Sequence, residues 1–341
     1  MLRPLLAAAL IATAAMPALA SAACTAGQKV QEKGLVPIGG IQQWVTISGR
    51  NCANPVVLVL HGGPGNPLSP YSKALYGGWE KEFTIVQWDQ RGAGMTYGAS
   101  KPAEDEPLTI EQMRDDGIAL AEYLAKKFDK QKITLIGGSW SSVLAVHMIK
   151  ARPDLFEAYV GAAQIVSYRE NPHAAYQRLL AVTRRANDTE AVKQLEALGT
   201  PPWTDPHNFG IMRRVIRKYE AQVTEPAPKA WWKPSPEYAT PEAMANYEGG
   251  EDYSYIQFVG MRGDGMYSRV DLPKLGTSFK VPFYLLQGEE DLLTTPDVAR
   301  RYFDSISAPQ KEFILLPRVG HDPNPTLVAA QYKLLKEHLQ P

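Results

Sequence analysis

The sequence predicts an α/β protein in which a mostly parallel central sheet is flanked by helices and interrupted by an inserted helical segment. Continuous apolar runs, of which Val56 to Leu60 (VVLVL) is the clearest, are typical of strands buried on both faces. These runs alternate with helical patterns, the order expected when helices cover both faces of a parallel sheet. The stretch 167–269 breaks the alternation, because its helical patterns are separated by Pro- and Trp-rich segments without a buried-strand run.

The first half of the chain supplies most of the predicted strands. Residues Ile41 to Ile47 alternate like an edge strand, and a helix begins at Thr109, where Gln112 completes a capping box. A β-branched strand, a tight turn and a helix follow one another from Lys132 to Met148. The other predicted strands of this half are Val56 to Leu60, Phe83 to Trp88 and Ala158 to Val166.

The second half divides into the helical stretch and a return to the sheet. Helices are predicted at Ala174 to Ala186 and Phe209 to Ala221, and we interpret 167–269 as a cap over the carboxyl edge of the sheet. The core then comprises residues 25–166 and 270–341. Its last elements are a strand at Val281 to Gln287, a helix at Pro296 to Ile306, a strand at Phe313 to Leu316 and a helix at Thr326 to Leu339.

The overall composition is that of an ordinary globular protein. Of 341 residues, 45% are hydrophobic and 21% are charged, enough apolar material for a large core. Lys plus Arg and Asp plus Glu both number 36, so the formal net charge is zero. This balance gives no general attraction to nucleic acid or to an anionic membrane surface.

Residues 1–22 have the features of a secretory signal peptide. Arg3 provides a short positive region, Leu5 to Leu19 is apolar, and small residues around Ala20 and Ala22 suit a cleavage site. The apolar part is short for a membrane span, and no other stretch reaches that length. We therefore expect an exported protein, periplasmic or secreted, without stable membrane insertion after cleavage.

The two cysteines, Cys24 and Cys52, both follow the predicted cleavage site. In an oxidising compartment a disulfide between them is the interpretation we favour, and it ties the mature N-terminus to the first strands. Two free thiols are an alternative. A lipid anchor on Cys24 ranks below the disulfide, because Ser21 stands three residues earlier, where lipoprotein signals usually have Leu.

The tight turn after the strand at Lys132 places Ser139 at its apex, within the run Gly137-Gly138-Ser139-Trp140-Ser141. A strand that turns this sharply into a helix strains the apex residue and exposes its hydroxyl above the sheet. The run matches the nucleophile elbow G-x-S-x-G of α/β-hydrolases, except that Ser141 replaces the last glycine. We expect Ser141→Gly to be tolerated and Ser139→Ala to abolish activity.

An elbow serine needs a base and a group that orients the base, and α/β-hydrolases supply them in the chain order Ser, Asp or Glu, His. Of six histidines, His321 alone lies in a loop just after the last predicted strand, so we assign it as the general base. Asp291, in the pattern Gly288-x-x-Asp291 after the preceding strand, is our choice for the acid. Glu290 is the alternative acid.

Two backbone N–H groups are expected to stabilise the oxyanion of the reaction. One belongs to Trp140, the residue after the nucleophile. The other belongs to the glycine-rich loop His61–Gly65, with Gly63 the first choice and Gly62 the second. The chain has no phosphate loop, no H-E-x-x-H zinc helix and no C-x-x-C pair, which argues against the function classes that these motifs mark.

Three motifs together resemble those of the prolyl iminopeptidase family of α/β-hydrolase peptidases: HGGPG at 61–65, DQRGxG at 89–94 and GGSW at 137–140. The resemblance covers roughly 43–166 and 271–339. It implies a serine aminopeptidase that removes an N-terminal residue, usually proline, from short peptides without metal or cofactor. Two features depart from the family: Ser141 and Ser142 stand where its members usually have glycines, and many members are cytoplasmic.

The resemblance also implies that acidic residues of the cap bind the free amine of the substrate. Residues 236–271 carry seven acidic side chains against two basic ones, with five tyrosines interleaved. Within this stretch we select Glu248 and Glu251, because an ammonium group needs a fixed negative charge. Neighbouring tyrosines could shape an apolar pocket for a proline ring.

We therefore predict an exported serine hydrolase with prolyl aminopeptidase-like activity on short peptides, working through a Ser-Asp-His acyl-enzyme mechanism. An exported esterase or amidase that acts on small acyl substrates with the same three residues is the alternative. A catalytically silent hydrolase fold used for binding is a third interpretation, and the filled triad positions argue against it.

Overall fold

Eight strands form one sheet in a computed structural model that describes residues 24–103 and 106–339. The strands are β1 (Val30–Ile38), β2 (Ile41–Gly49), β3 (Val56–Leu60), β4 (Thr84–Trp88), β5 (Ile133–Ser139), β6 (Phe156–Gln164), β7 (Phe283–Gly288) and β8 (Lys311–Leu316). Their order across the sheet is β1-β2-β4-β3-β5-β6-β7-β8. The predicted signal peptide, residues 1–22, lies outside the described residues.

Helices cover both faces of this sheet. They are α1 (Ser72–Tyr76), α2 (Gly94–Ala99), α3 (Ile110–Lys127), α4 (Trp140–Ala151), α5 (Glu170–Arg185), α6 (Thr189–Leu198), α7 (Pro206–Val223), α8 (Pro241–Val259), α9 (Pro296–Ser305) and α10 (Pro325–Leu339). The pairs β1–β2 and β2–β4 are antiparallel, and the other pairs are parallel. The predicted α/β-hydrolase fold, with its mostly parallel sheet, is confirmed.

The antiparallel edge of the sheet differs from the prediction. The strand predicted at Ile41 to Ile47 exists as β2, but it is not an edge strand, because β1 pairs with it along its whole length. The pattern missed β1 because Gly34 and Pro37 interrupt it. Proline cannot donate to a ladder and is tolerated on an edge strand, which is where β1 lies.

The central strand β3 shows why continuous apolar runs mark the interior of the sheet. Successive side chains of a strand point to opposite faces. Val57 and Val59 pack in a core with residues of α1 and α10. Leu58 and its alternate neighbours pack on the other face, in a core with residues of α3 and α4. Both faces of β3 are therefore buried.

The chain between β6 and β7 contains α5 to α8 and, in its described residues, no strand that joins the sheet. Helices α5, α6 and α7 share an apolar core that also includes Leu292, from the loop after β7. Helix α8 contacts the loop after β4, where the hydroxyl of Ser254 donates a 2.7 Å hydrogen bond to the carbonyl of Gly92. Both loops follow the carboxyl ends of parallel strands, so these helices lie over that edge of the sheet.

The beginning of the described chain is attached by a disulfide between Cys24 and Cys52. Cys52 precedes β3, so the bridge lies near the amino end of that strand, away from the edge where the parallel strands finish. Among the residues that the structure describes, no helix is long and apolar enough to cross a membrane.

Candidate active site

Ser139 ends β5 and immediately precedes α4, at the predicted tight turn. Its backbone has φ 55° and ψ −127°, a conformation that is rare for a residue with a side chain. Gly137 allows the helix to approach this closely, because a Cβ there would lie 2.6 Å from the carbonyl oxygen of Ser141. The turn leaves Ser139 among the residues that line the large cavity described below.

The two serines after the elbow form hydrogen bonds that glycines could not make. The hydroxyl of Ser141 accepts the backbone N–H of Gly138 at 2.8 Å and donates to the carbonyl of Leu60, also at 2.8 Å. The hydroxyl of Ser142 donates to the carbonyl of Ser139 at 2.7 Å. Ser141 and Ser142, which stand where the family usually has glycines, thus join the elbow to the end of β3 and to the first turn of α4.

His321, in the loop after β8, lies between Ser139 and Asp291. Its Nε2 is 3.0 Å from the hydroxyl oxygen of Ser139, and its Nδ1 is 3.3 and 3.2 Å from the two carboxylate oxygens of Asp291. Ser139 ends one parallel strand, and Asp291 and His321 follow two others, and the carboxyl ends of these strands meet at one edge of the sheet. Asp291, rather than Glu290, contacts the imidazole.

The carboxylate of Asp291 is fully buried and well supplied with donors. One oxygen accepts the backbone N–H groups of Leu293 and Thr294 at 2.8 and 2.7 Å, and the other accepts the Thr294 hydroxyl at 2.5 Å. Burial raises the pKa of Asp291, but the charge of His321 and hydrogen bonds from His321 and Thr294 outweigh it. The pKa therefore lies below its ordinary value, and the carboxylate stays ionised.

The imidazole of His321 is also buried, with 8% of the residue exposed. Burial acts to lower its pKa, but the charge of Asp291 and its hydrogen bond outweigh that effect, so the pKa lies above the ordinary 6.5. The ring is therefore held in an environment that stabilises the imidazolium formed when it takes a proton.

Glu220 of α7 belongs to this site, although the sequence analysis did not select it. One carboxylate oxygen accepts the backbone N–H of His321 at 3.2 Å, and the other accepts that of Leu292 at 2.8 Å. Burial, followed by the charge of Asp291, raises the pKa of Glu220 to about 7. The one signal in the sequence is its four-residue spacing from Ile216, which puts a carboxylate on the buried stripe of a helix.

Buried hydrogen bonds join the HGGPG and DQRGxG motifs beside the elbow. The backbone N–H of Gln90 donates to Nε2 of His61 at 3.1 Å, and the Gln90 side chain donates to the His61 carbonyl at 3.1 Å. The same side chain accepts the indole N–H of Trp140 at 3.1 Å. Burial lowers the pKa of His61 to about 4, so this imidazole is neutral at neutral pH and acts as an acceptor.

The glycine loop approaches Ser139. Gly62 and Gly63 line the same cavity as Ser139, and a Cβ on Gly62 would lie 3.5 Å from Cβ of Ser139. Gly63 has φ +107°, and a Cβ there would lie 2.7 Å from the nitrogen of Gly65, so the position requires glycine. Trp140 is the first residue of α4, and its backbone N–H therefore lacks an intrahelical partner.

A cavity of about 1050 Å³ contains both Ser139 and His321 in its lining. Glu251 of α8 lines the same cavity, together with Tyr71 and Tyr247. Burial raises the pKa of Glu251 above its ordinary value. Glu248 is exposed on the same helix and is not among the lining residues. Of the two predicted amine-binding residues, the structure brings Glu251 to the cavity and leaves Glu248 away from it.

Relatives of similar sequence are named as aminopeptidases. A family described as "Serine aminopeptidase, S33" matches residues 52–324. The probable aminopeptidase YbaC of Bacillus subtilis is 29% identical over 293 residues, which are 84% of this chain and 89% of that protein. A probable proline iminopeptidase of Streptomyces coelicolor is 26% identical, over 81% of this chain and 86% of its own length.

Solved structures show the same fold. The crystal structure of proline iminopeptidase from Mycobacterium smegmatis matches with a TM-score of 0.65 at 19% identity, covering 90% of this chain and 98% of that one. The family match spans well over half of the sequence. The chain therefore belongs to the S33 serine aminopeptidase family, the α/β-hydrolase family of the prolyl iminopeptidases whose motifs it shares.

Proposed function

We propose that this protein is a serine aminopeptidase that removes an N-terminal residue, preferably proline, from short peptides. The observation that carries the proposal is the 3.0 Å contact between the Ser139 hydroxyl and Nε2 of His321, whose other nitrogen faces Asp291. A serine with a base in reach is equipped for acyl transfer. Glu251 in the same cavity offers a negative charge for a free amine.

The proposed reaction starts from this geometry. His321 takes the hydroxyl proton of Ser139 as the oxygen attacks the scissile carbonyl carbon, and the carbonyl electrons move to its oxygen. The backbone N–H groups of Trp140 and of Gly63 or Gly62 stabilise this oxyanion. When the tetrahedral intermediate collapses, the C–N bond breaks, the leaving amine takes the proton from His321, and an acyl-enzyme remains.

Hydrolysis of the acyl-enzyme repeats the same steps with water. His321 takes a proton from the water as its oxygen attacks the acyl carbon, and returns the proton to Ser139 when the ester bond breaks. Asp291 orients the imidazole and stabilises its charged form in both half-reactions. The released products are the N-terminal amino acid and the shortened peptide.

The surroundings of Glu251 support recognition of an N-terminal proline. Tyr71 and Tyr247 line the cavity together with Glu251. Burial raises the pKa of both phenols, and the charge of Glu251 acts in the same direction. Trp232 lies edge-on to Tyr71, with ring centroids 5.4 Å apart, and also lines the cavity. A carboxylate bordered by aromatic rings suits a secondary ammonium on an apolar ring. Glu248, exposed outside the cavity, has no part in this proposal.

The helical segment 167–269 acts in this proposal as a cap on a core formed by 25–166 and 270–341. Support comes from the cavity lining, which α7 and α8 provide on one side and the elbow, the glycine loop and the His321 loop provide on the other. A substrate bound between these two sides is shielded from water on both. The cap then supplies specificity, whereas the core supplies the chemistry.

We also propose that the protein is exported. The signal-like residues 1–22 and the disulfide between Cys24 and Cys52 support this, because disulfides persist in oxidising compartments. A Cys24 sulfur engaged in a disulfide is not available for a lipid thioether. The disulfide therefore favours a periplasmic or secreted protein over a lipid-anchored one.

Two measurements test the activity. A fluorophosphonate probe should label the wild type and not Ser139→Ala, and absent or equal labelling would exclude a serine enzyme. Proline p-nitroanilide, its N-blocked form and a p-nitrophenyl ester should then be assayed in parallel. We expect cleavage of the free-amine anilide and a strong loss with the blocked one. Equal cleavage of both would instead support the esterase or amidase alternative.

A further inference from the structure

Three arginines of α7 line the cavity that contains the nucleophile. They are Arg213, Arg214 and Arg217, and Arg213 and Arg217 are separated by about one helical turn. Glu220 continues the same face of the helix toward the His321 loop. The side of α7 that faces the cavity is therefore basic, in contrast to the acidic α8.

Among the described residues, few acidic side chains pair with these three guanidinium groups. Within the described ranges, Arg214 and Arg217 form no hydrogen bond and no ion pair within 4 Å. Arg213 has a 3.6 Å contact with Asp322, and its Nη1 is buried without a hydrogen-bond partner. A buried guanidinium nitrogen without an acceptor is costly unless a ligand supplies one.

The acidic residues on the same side of the cavity have other partners. Glu220 accepts two backbone N–H groups, and Glu225 accepts the Thr326 hydroxyl at 2.6 Å and its backbone N–H at 3.2 Å. Neither carboxylate is free to neutralise the arginines. Apart from the contact of Arg213 with Asp322 and the nearby charge of Glu251, the positive charge on α7 is thus available to a ligand in the cavity.

The arginines reach from the base to the proposed amine site. Burial has the largest effect on the pKa of His321 and on that of Glu251, but the charge of Arg213 also acts on the first and that of Arg217 on the second. Arg213 contacts Asp322, the residue after His321, and so lies near the reacting imidazole. Arg217 lies within reach of the carboxylate that would hold the substrate amine.

We propose that Arg213, Arg214 and Arg217 form a subsite for the free C-terminal carboxylate of the substrate, so that the enzyme acts best on dipeptides. This inference rests on the proposed aminopeptidase function. A dipeptide carries an ammonium and a carboxylate on opposite sides of its one peptide bond and spans about 7 Å when extended. Glu251 takes the ammonium, and guanidinium groups take the carboxylate, for which their planar fork is suited.

The subsite binds the part of the substrate that becomes the leaving group. The bonds that form and break are the same as in the aminopeptidase reaction proposed above. The carboxylate belongs to the residue whose nitrogen departs, so its capture orients that nitrogen toward the proton on His321. A longer peptide places its carboxylate beyond this point, and an amidated one has no charge to offer. Both lose the contact while keeping the N-terminal recognition.

The test compares Pro-Ala with Pro-Ala amide, which differ in the carboxylate alone. For the wild type we expect kcat/KM to be at least about tenfold higher for the acid, the effect of one charge-assisted hydrogen bond. In the double variant Arg214→Gln/Arg217→Gln, that ratio should fall toward one. Both side chains are exposed, so the fold should persist, and an unchanged Tm checks this.

Lys218→Gln is the matched control, because Lys218 is on the same helix but pairs with Asp188 outside the cavity. It should keep the wild-type ratio. A wild-type ratio near one, or a ratio that the double variant preserves, overturns the carboxylate subsite. Proline p-nitroanilide, which has no carboxylate, separates the two proposals: its cleavage supports the aminopeptidase even if the subsite fails, and failure on all three substrates overturns both.

Discussion

The carboxylate of Glu220 accepts the backbone N–H of His321 at 3.2 Å and so connects α7 directly to the loop of the proposed general base. Its other oxygen accepts the N–H of Leu292, the residue after Asp291. One side chain between β6 and β7 thus holds the loops of both the acid and the base. A displacement of α7 would therefore also displace the loops that carry Asp291 and His321.

Replacing Glu220 should change how stability depends on pH. Its pKa is raised from 4.5 to about 7, so the folded protein binds this proton more tightly than the unfolded chain. The free energy of unfolding therefore falls as pH rises through this window, by about 3 kcal/mol for this group. Glu220→Gln should remove that decline, as measured by urea unfolding at pH 4.5 and 7.5.

The exposed Glu248→Gln is the control for that experiment and should keep the wild-type pH dependence. If Glu220→Gln and wild type lose the same stability between the two pH values, the buried carboxylate does not titrate as described.

The value of kcat/KM should decrease as the pH is lowered, and the midpoint of this acid limb should lie above pH 6.5. His321 must be neutral to accept the Ser139 proton, and its pKa lies above 6.5, so kcat/KM falls as pH falls through that raised value. Asp291→Asn removes the charge that raises this pKa. It should move the acid limb to lower pH and reduce kcat by a factor on the order of 10⁴.

Profiles of kcat/KM against pH for both proteins measure this shift. An acid limb in Asp291→Asn that stays in place, or moves to higher pH, would mean that Asp291 does not set the protonation of His321.

Ser141→Gly should retain enzymatic activity but lower the stability of the folded protein. The partly buried Gly138 N–H and the buried Leu60 carbonyl would lose their side-chain partner, and a buried polar group left without one costs about 1–3 kcal/mol. Ser139→Ala should retain the fold and abolish fluorophosphonate labelling. Urea unfolding and labelling distinguish the two effects, and a Ser141→Gly protein that is folded yet as inactive as Ser139→Ala would contradict the assigned nucleophile.

Removing the disulfide should lower stability without lowering activity. Cys24 and Cys52 are separated by 28 positions, and a bridge that closes a loop of this size contributes about 3–4 kcal/mol in the chain-entropy account. The bridge precedes β3, whereas Ser139 lies at the opposite edge of the sheet. Cys24→Ser/Cys52→Ser should therefore unfold at lower urea with wild-type kcat/KM, and a large loss of activity would show that the bridge shapes the site.

The positions of Ser139, Asp291 and His321 could be predicted because each follows a strand that the apolar pattern identifies. In a parallel sheet the carboxyl ends of the strands meet at one edge, so residues that are distant in the chain converge there. Gly62 and Gly63 follow β3 for the same reason. Once the strands were identified, the motif that comes at the end of each strand indicated which residues lie together at this edge.

The sequence by itself thus determined the fold class, the three residues proposed as nucleophile, acid and base, and the cysteines available for a bridge. Only the tertiary structure decided which faces of α7 and α8 meet the cavity: it separated Glu251 from Glu248, brought Glu220 to His321 and put Arg217 opposite the acidic helix. The physical reason is that a helix in an insertion is oriented by packing against distant elements. Its local pattern shows an apolar stripe but does not show what that stripe, or the charges beside it, will contact.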